Sequence, residues 1–321
     1  MPGGPEDIAV DPRGGFYASV SDWRGRQKER RAGRGAIFRL ERDASGRMQK
    51  SEVTPASLRD FQPHGIDLWT GPDGAQRLFV VNHPLNGPSR VEIFAVTPEG
   101  LIDTGEGGAW KKLHRPNDLA AFGPRSFFAT NDHTIPREGW FDPTIRESAS
   151  DIGGEGNGYL VRVDDGRLTI VARRLSLANG VALSPDRRKL YVAESTMGRI
   201  RVFGDLQAPS LRELDRLDPG PGPDNITVDA AGDLWIGAHN NGLDFLRHAM
   251  NGERPSPGRV VRLTPGGAKT IVYQSGREAN RPETQPRLWS VSVGAPDEEG
   301  RVIVGAIFPH EVQVCRLADR R

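Results

Sequence analysis

The sequence predicts an all-β chain closed into a six-bladed β-propeller, and three observations carry the prediction. Glycine and proline are abundant, 39 and 25 of 321 residues, about a fifth of the chain against a usual level near an eighth, which disfavours long helices and supplies turns. A hairpin pattern, two period-2 apolar runs around a Gly, Asp or Pro turn, recurs six times. Each copy is followed by a further strand-like run. Ordered repetition of one supersecondary unit is the mark of a radial array that leaves only short, protected strand edges. A ring of this size is expected as a single domain over residues 1–321.

The copies run in order along the chain. The first hairpin opens with Glu6-Asp-Ile-Ala-Val and returns through residues 14–20, with a third run at residues 35–40. The second opens at His64-Gly-Ile-Asp-Leu and ends at His83, followed by residues 91–96. The third runs from Asn117-Asp-Leu-Ala-Ala to Asp132, with residues 158–163 after it. Asn179-Gly-Val-Ala-Leu opens the fourth, Asp224-Asn-Ile-Thr-Val the fifth and Trp289-Ser-Val-Ser-Val the sixth, with third runs at 199–203, 258–263 and 312–317. Five copies continue into a polar-edged fourth strand, such as residues 167–172.

This frame also says which loops share a face. The starts of first strands, the ends of second strands and the loops to third strands lie together, and those loops, residues 21–34, 84–90, 133–157 and 240–257, are the long ones. Long connections at one end of a rigid scaffold are where binding and catalysis concentrate. Residues 140–143, Trp-Phe-Asp-Pro, are expected to contribute to a lid there.

The residues opening the inner strands converge on the axis. They are carboxylates and carboxamides, hard oxygen donors that suit Ca²⁺ better than zinc or copper. Glu6, Asn117, Asn179, Asp224 and Asn225 are assigned to one calcium site. Asp7 and Asp118 occupy the second opening position, turned from the first set by strand alternation and placed for a second ion deeper in the channel. His64, His83 and His239 fall on the long-loop face. His64 and His83 share one hairpin beside the cation site and form a candidate proton-transfer pair, His64 as base for a water and His83 orienting it or relaying the proton. Asp224 is the rival base.

Other chemistries find no support. The single Cys315 excludes an intrachain disulfide and a thiolate-rich metal site. There is no Gly-x-Ser-x-Gly elbow and no P-loop or paired-glycine nucleotide motif. With 43 Lys plus Arg against 42 Asp plus Glu, no global field draws in nucleic acid or anionic membrane. The Arg-rich run at 24–34 lacks aromatic interleaving and reads as a solvated loop rather than a nucleic-acid contact. No stretch approaches a membrane span of about 18 apolar residues. The start of the sequence has no basic or apolar export region, so a soluble chain, cytoplasmic rather than secreted, is expected.

At these residues the sequence resembles the paraoxonase family of calcium-dependent lactonases and arylesterases, which are six-bladed propellers. The likeness runs from about Glu6 to Leu317 and is most specific at residues 61–66, 80–84, 116–118, 129–133, 178–180, 224–229 and 232–239. It implies a catalytic calcium at Glu6, Asn117, Asn179, Asp224 and Asn225, and a structural calcium at Asp7, Asp118 and the backbone carbonyl of Ile66. His64 and His83 match the family's histidine dyad. His239, with Phe245 and Phe308, is placed in the substrate pocket. Three departures stand out: no apolar segment precedes Glu6, Cys315 matches half of a closing disulfide whose partner this sequence lacks, and the Arg-rich loop replaces an apolar active-site loop.

The expectation is a Ca²⁺-dependent hydrolase of lactones, holding two calcium ions, with side activity on aryl esters and phosphotriesters. Its partners are small lactone or ester substrates. The competing readings are a sugar-acid lactonase of the gluconolactonase kind, against which the histidine pair argues, and a non-catalytic propeller that binds a ligand across the long-loop face.

Overall fold

Each predicted hairpin forms in the computed structural model, which describes residues 1–23, 25, 35–133, 156–275 and 288–317. Residues 140–143, and all of the Arg-rich run at 24–34 except Gly25, lie outside the described residues. The first sheet contains β1 (Gly4–Val10), β2 (Phe16–Ser21), β3 (Ala36–Arg42) and β4 (Met48–Glu52). The second has β5 (Pro63–Thr70), β6 (Gln76–Asn82), β7 (Arg90–Thr97) and β8 (Gly100–Asp103), the third β9 (Pro116–Gly123), β10 (Ser126–Asn131), β11 (Gly158–Asp164) and β12 (Arg167–Leu175). The fourth has β13 (Ala178–Leu183), β14 (Leu190–Glu194), β15 (Arg199–Gly204) and β16 (Arg212–Leu217), and the fifth β17 (Pro223–Val228), β18 (Leu234–His239), β19 (Gly258–Leu263) and β20 (Lys269–Gln274). The sixth holds β21 (Val291–Pro296), β22 (Arg301–Ala306) and β23 (Gln313–Arg316). All pairings are antiparallel and in chain order, the up-and-down meander of a propeller blade. Each inner strand packs on the next and β21 packs on β1, completing a six-bladed β-propeller.

The core is divided among the blade interfaces. Phe79, Val81, Phe127 and Val161 fill the wedge between the second and third blades, and equivalent clusters fill the other interfaces. A lone blade would leave both faces wet, so stability requires the neighbours. The seam between the last and first blades is built the same way, from Ile8, Phe16 and Ala18 against Val293, Ala295 and Ile303. Polar contacts reinforce it: Ser292 Oγ donates to the Glu6 carbonyl at 2.6 Å, and the Met1 amino group to the His310 carbonyl at 3.1 Å. Cys315 lies on β23, opposite Val302, and the ring closes without a covalent link. Among the described residues the sixth sheet has three strands where the others have four.

One element departs from the sequence reading. Within the loop expected at 240–257, residues Gly242–Met250 form helix α1. Asn241 caps it, its side chain accepting from the Leu243 N–H at 2.8 Å, with Asp244 in the first turn and Arg247 and His248 in the last, where they complement the helix dipole.

Candidate active site and metal centre

All six inner strands are irregular at their openings. The ladder shifts between Pro5 and Asp7, Pro63 and Ile66, Ala178 and Val181, Pro223 and Ile226, and Val291 and Val293, and where β9 passes Asn117 and Asp118. A bulge frees a residue from strict alternation and re-aims its side chain. Here it turns the opening residues into the central channel.

A cavity of about 770 Å³ opens at the long-loop end, with Glu6, Asn117, Asn179, Asp224 and His64 on its surface. Asn225 lies behind Glu6: its Nδ2 donates to the Glu6 carbonyl and to Oε1, each at 3.0 Å. The remaining oxygens of these side chains are buried without hydrogen bonds: Glu6 Oε2, Asn117 Oδ1, Asn179 Oδ1 and Asn225 Oδ1. Asp224 Oδ2 is 3.0 Å from His239 Nε2, a contact without hydrogen-bond direction. Buried acceptors are almost always satisfied, so five such oxygens, one from each expected ligand, suit a cation. Two carboxylates and three carboxamides are a hard donor set of the calcium type. Among the described residues no three His, Cys, Asp or Glu side chains converge as a metal site, and carboxamides supply the majority of this set.

Asp7 and Asp118 sit one layer deeper, beside a second cavity of about 300 Å³ at the opposite end of the channel. Asp7 accepts from the N–H groups of Ile8 and Ile66 at 2.8 Å each. Asp118 accepts from Leu119 at 2.7 Å and Val181 at 2.8 Å. Burial, then the charge of Glu6, pushes the Asp7 carboxyl well above its ordinary range, and burial, then Asp7, does the same for Asp118. Asp67, which sequence reading passed over, repeats the motif one layer lower, accepting from Leu68 and Ala121, and burial raises it to about 6. Ile66 meets Asp7 through its N–H.

The histidine pair is joined. His64 Nδ1 stands 3.2 Å from His83 Nε2, His64 Nε2 is 3.3 Å from Glu6 Oε1, and His83 Nδ1 is 2.8 Å from Ser89 Oγ. Trp23 presents its ring to His64 at 5.1 Å, nearly edge-on, and walls the pair off. His64 faces the large cavity while His83 lies behind it, with Ser89 nearer solvent. Burial raises Asp224, and His239 partly offsets this.

His239 and Phe245 line the cavity, stacked at 4.4 Å. Phe308 does not line it. It packs behind Phe245 at 6.0 Å, with Trp23 and Ile307. Sequence reading missed Arg115, Asp132 and His133, which line the opposite wall with Arg115 Nε 2.8 Å from Asp132 Oδ1. The signal was present in the hairpin ends, because Asp132 follows β10 as His83 follows β6.

Residues 35–272 match the arylesterase family model. The human serum paraoxonase/arylesterase 1 is 31% identical over 267 residues, covering 81% of this chain and 70% of the relative. The rabbit (Oryctolagus cuniculus) serum paraoxonase/lactonase 3 is 27% identical over 320 residues, covering 98% and 86%. Among solved structures, a gluconolactonase from Xanthomonas campestris superposes with TM-score 0.56 at 18% identity, covering 98% of this chain and 86% of that one. That likeness is one of fold.

Proposed function

The chain belongs to the arylesterase family, and from that premise we propose that it is a calcium-dependent hydrolase of lactones, with side activity on aryl esters and phosphotriesters. Curated relatives bear the names arylesterase and lactonase, which supports an ester- and lactone-hydrolysing enzyme acting on small molecules. The observation that carries the calcium reading is the set of five buried oxygens without hydrogen bonds on Glu6, Asn117, Asn179, Asp224 and Asn225. Bound there, calcium would polarise the substrate carbonyl and stabilise the oxyanion. Asp7, Asp118 and the Ile66 carbonyl are proposed for a second, structural ion.

The protein's own groups account for the proton. The contacts Ser89–His83–His64 can polarise in one direction, with His64 Nδ1–H donating to His83 Nε2 and His83 Nδ1–H to Ser89 Oγ. That arrangement leaves His64 Nε2 unprotonated at the cavity, 3.3 Å from Glu6 Oε1, where it takes a proton from water. His83 then holds the ring in this tautomer and disperses the charge. Asp224 is the alternative base, since its carboxylate borders the same cavity. His239, Phe245 and, behind them, Phe308 shape the space for the substrate's leaving side.

The test is a panel of acyl-homoserine lactones, aliphatic δ-lactones and phenyl acetate, assayed with calcium. Turnover is expected, fastest on lactones. Ligand uptake with no turnover of any member would reject the enzyme and leave a binding propeller.

A further inference from the structure

Two segments form adjoining walls of the large cavity. One is residues 218–222, of which Asp218, Gly220, Pro221 and Gly222 face it. The other is α1, through Gly242, Phe245 and Leu246. Between them stands Arg259 on β19, only 7% exposed. Its Nη2 donates to the Pro221 carbonyl and its Nη1 to Asn240 Oδ1, each at 2.5 Å. A Cβ on Gly220 would come within 3.0 Å of Nη2, so the guanidinium lies directly against that wall. Gly220 and Gly222 have φ of 91° and 62°, a left-handed path that bends the segment around the arginine.

Among the described residues no carboxylate lies within ion-pair distance of Arg259. Burial lowers its pKa and the more distant Asp218 opposes this. A buried charge without an ion-pair partner is a costly way to fill space, and an apolar residue of similar size would serve packing alone at least as well. What the guanidinium adds is a rigid fork that fixes two acceptors at a set distance.

We infer that Arg259 is a specificity-determining positioning residue: it sets the separation of the 218–222 wall from the start of α1, and so the size of substituent that the cavity admits beside the reacting carbonyl. The reacting groups themselves are held by other means. The Pro223 carbonyl accepts from Ser195 Oγ at 2.6 Å, and Pro223 pairs with Ala238 in the β17–β18 ladder, so Asp224 is anchored by its strand. A change at Arg259 therefore acts on the wall more than on the centre.

The inference rests on the cavity being the lactone site. The variants are Arg259→Lys, which keeps the charge and loses the fork, Arg259→Met, and Asn240→Leu, which removes one acceptor. For each, kcat and KM are measured on an unsubstituted δ-lactone and on one carrying a ring aryl group. Kd values for the two matching lactams, which resist hydrolysis, are measured by calorimetry. The ratio of KM, and of Kd, between bulky and small ligands is expected to shift by at least about fivefold in all three variants, with KM carrying more of the change than kcat. Ratios unchanged in folded variants whose Tm alone falls would overturn the inference, as would a loss confined to kcat. Lactam ratios that shift in a protein without lactone turnover would support Arg259 and reject the hydrolase reading.

Discussion

Asn225 reaches back across 219 residues to Glu6, giving hydrogen bonds to its carbonyl and to its side-chain Oε1 at 3.0 Å each, and leaves its own Oδ1 and Glu6 Oε2 without hydrogen bonds. The fifth blade thus holds the first by the same side chain that is proposed to bind the cation. Asn225→Asp replaces the donor with a second carboxylate beside Glu6. The metal-free protein should lose about 1–3 kcal/mol, and excess calcium should restore much of that loss. Equal loss in EDTA and in calcium, read by thermal unfolding, would separate Asn225 from the metal.

Calcium stabilisation should depend on pH. The Asp7 and Asp118 carboxyls titrate above their unfolded value of 3.8 because of burial and neighbouring charge. The folded state therefore holds these protons more tightly, and its stability falls as pH rises from 3.8 through the raised values. A cation between them favours the ionised forms and reverses this, releasing protons as it binds. The calcium-induced gain in Tm is expected to be largest near pH 8 and to shrink on acidification. A gain that stays constant down to about pH 5 would contradict the second site.

The proton path gives a graded series. His64→Gln should lower lactone turnover by about 10²-fold or more, His83→Gln by less, and Ser89→Ala by under about tenfold, as suits a residue acting through another. Turnover of His64→Gln within a few-fold of the parent would make Asp224 the base.

The blade frame was legible because strand periodicity and turn residues are local. The positions of the expected calcium oxygens were legible for the same reason, since each opens an inner strand. The bulges that aim Asn117 and Asn179 into the channel were not, because a shifted ladder depends on the partner strand. Helix α1 was masked by its brevity and by the glycine at its first position, although Asn241 and Asp244 announced it. Phe308 was assigned to the cavity from the sequence, yet Phe245 stands in front of it. Arg259 could not be found at all, because its acceptors Pro221 and Asn240 come from loops whose course no periodicity describes.

Ring closure should be indifferent to redox state. The seam relies on Ile8, Phe16 and Ala18 against Val293 and Ile303, and on Ser292 donating to Glu6. Cys315→Ser, or added reductant, should change stability by under about 1 kcal/mol, whereas Ser292→Ala should cost about 1 kcal/mol or more. A fall in Tm on reduction alone would point to a covalent link between chains.

The most direct test of the whole account is lactone hydrolysis before and after metal removal. Activity should vanish on dialysis against EDTA and return with added Ca²⁺, and Asn179→Ala and Asp224→Ala should stay inactive at any calcium concentration. Full turnover in the metal-free protein would contradict it.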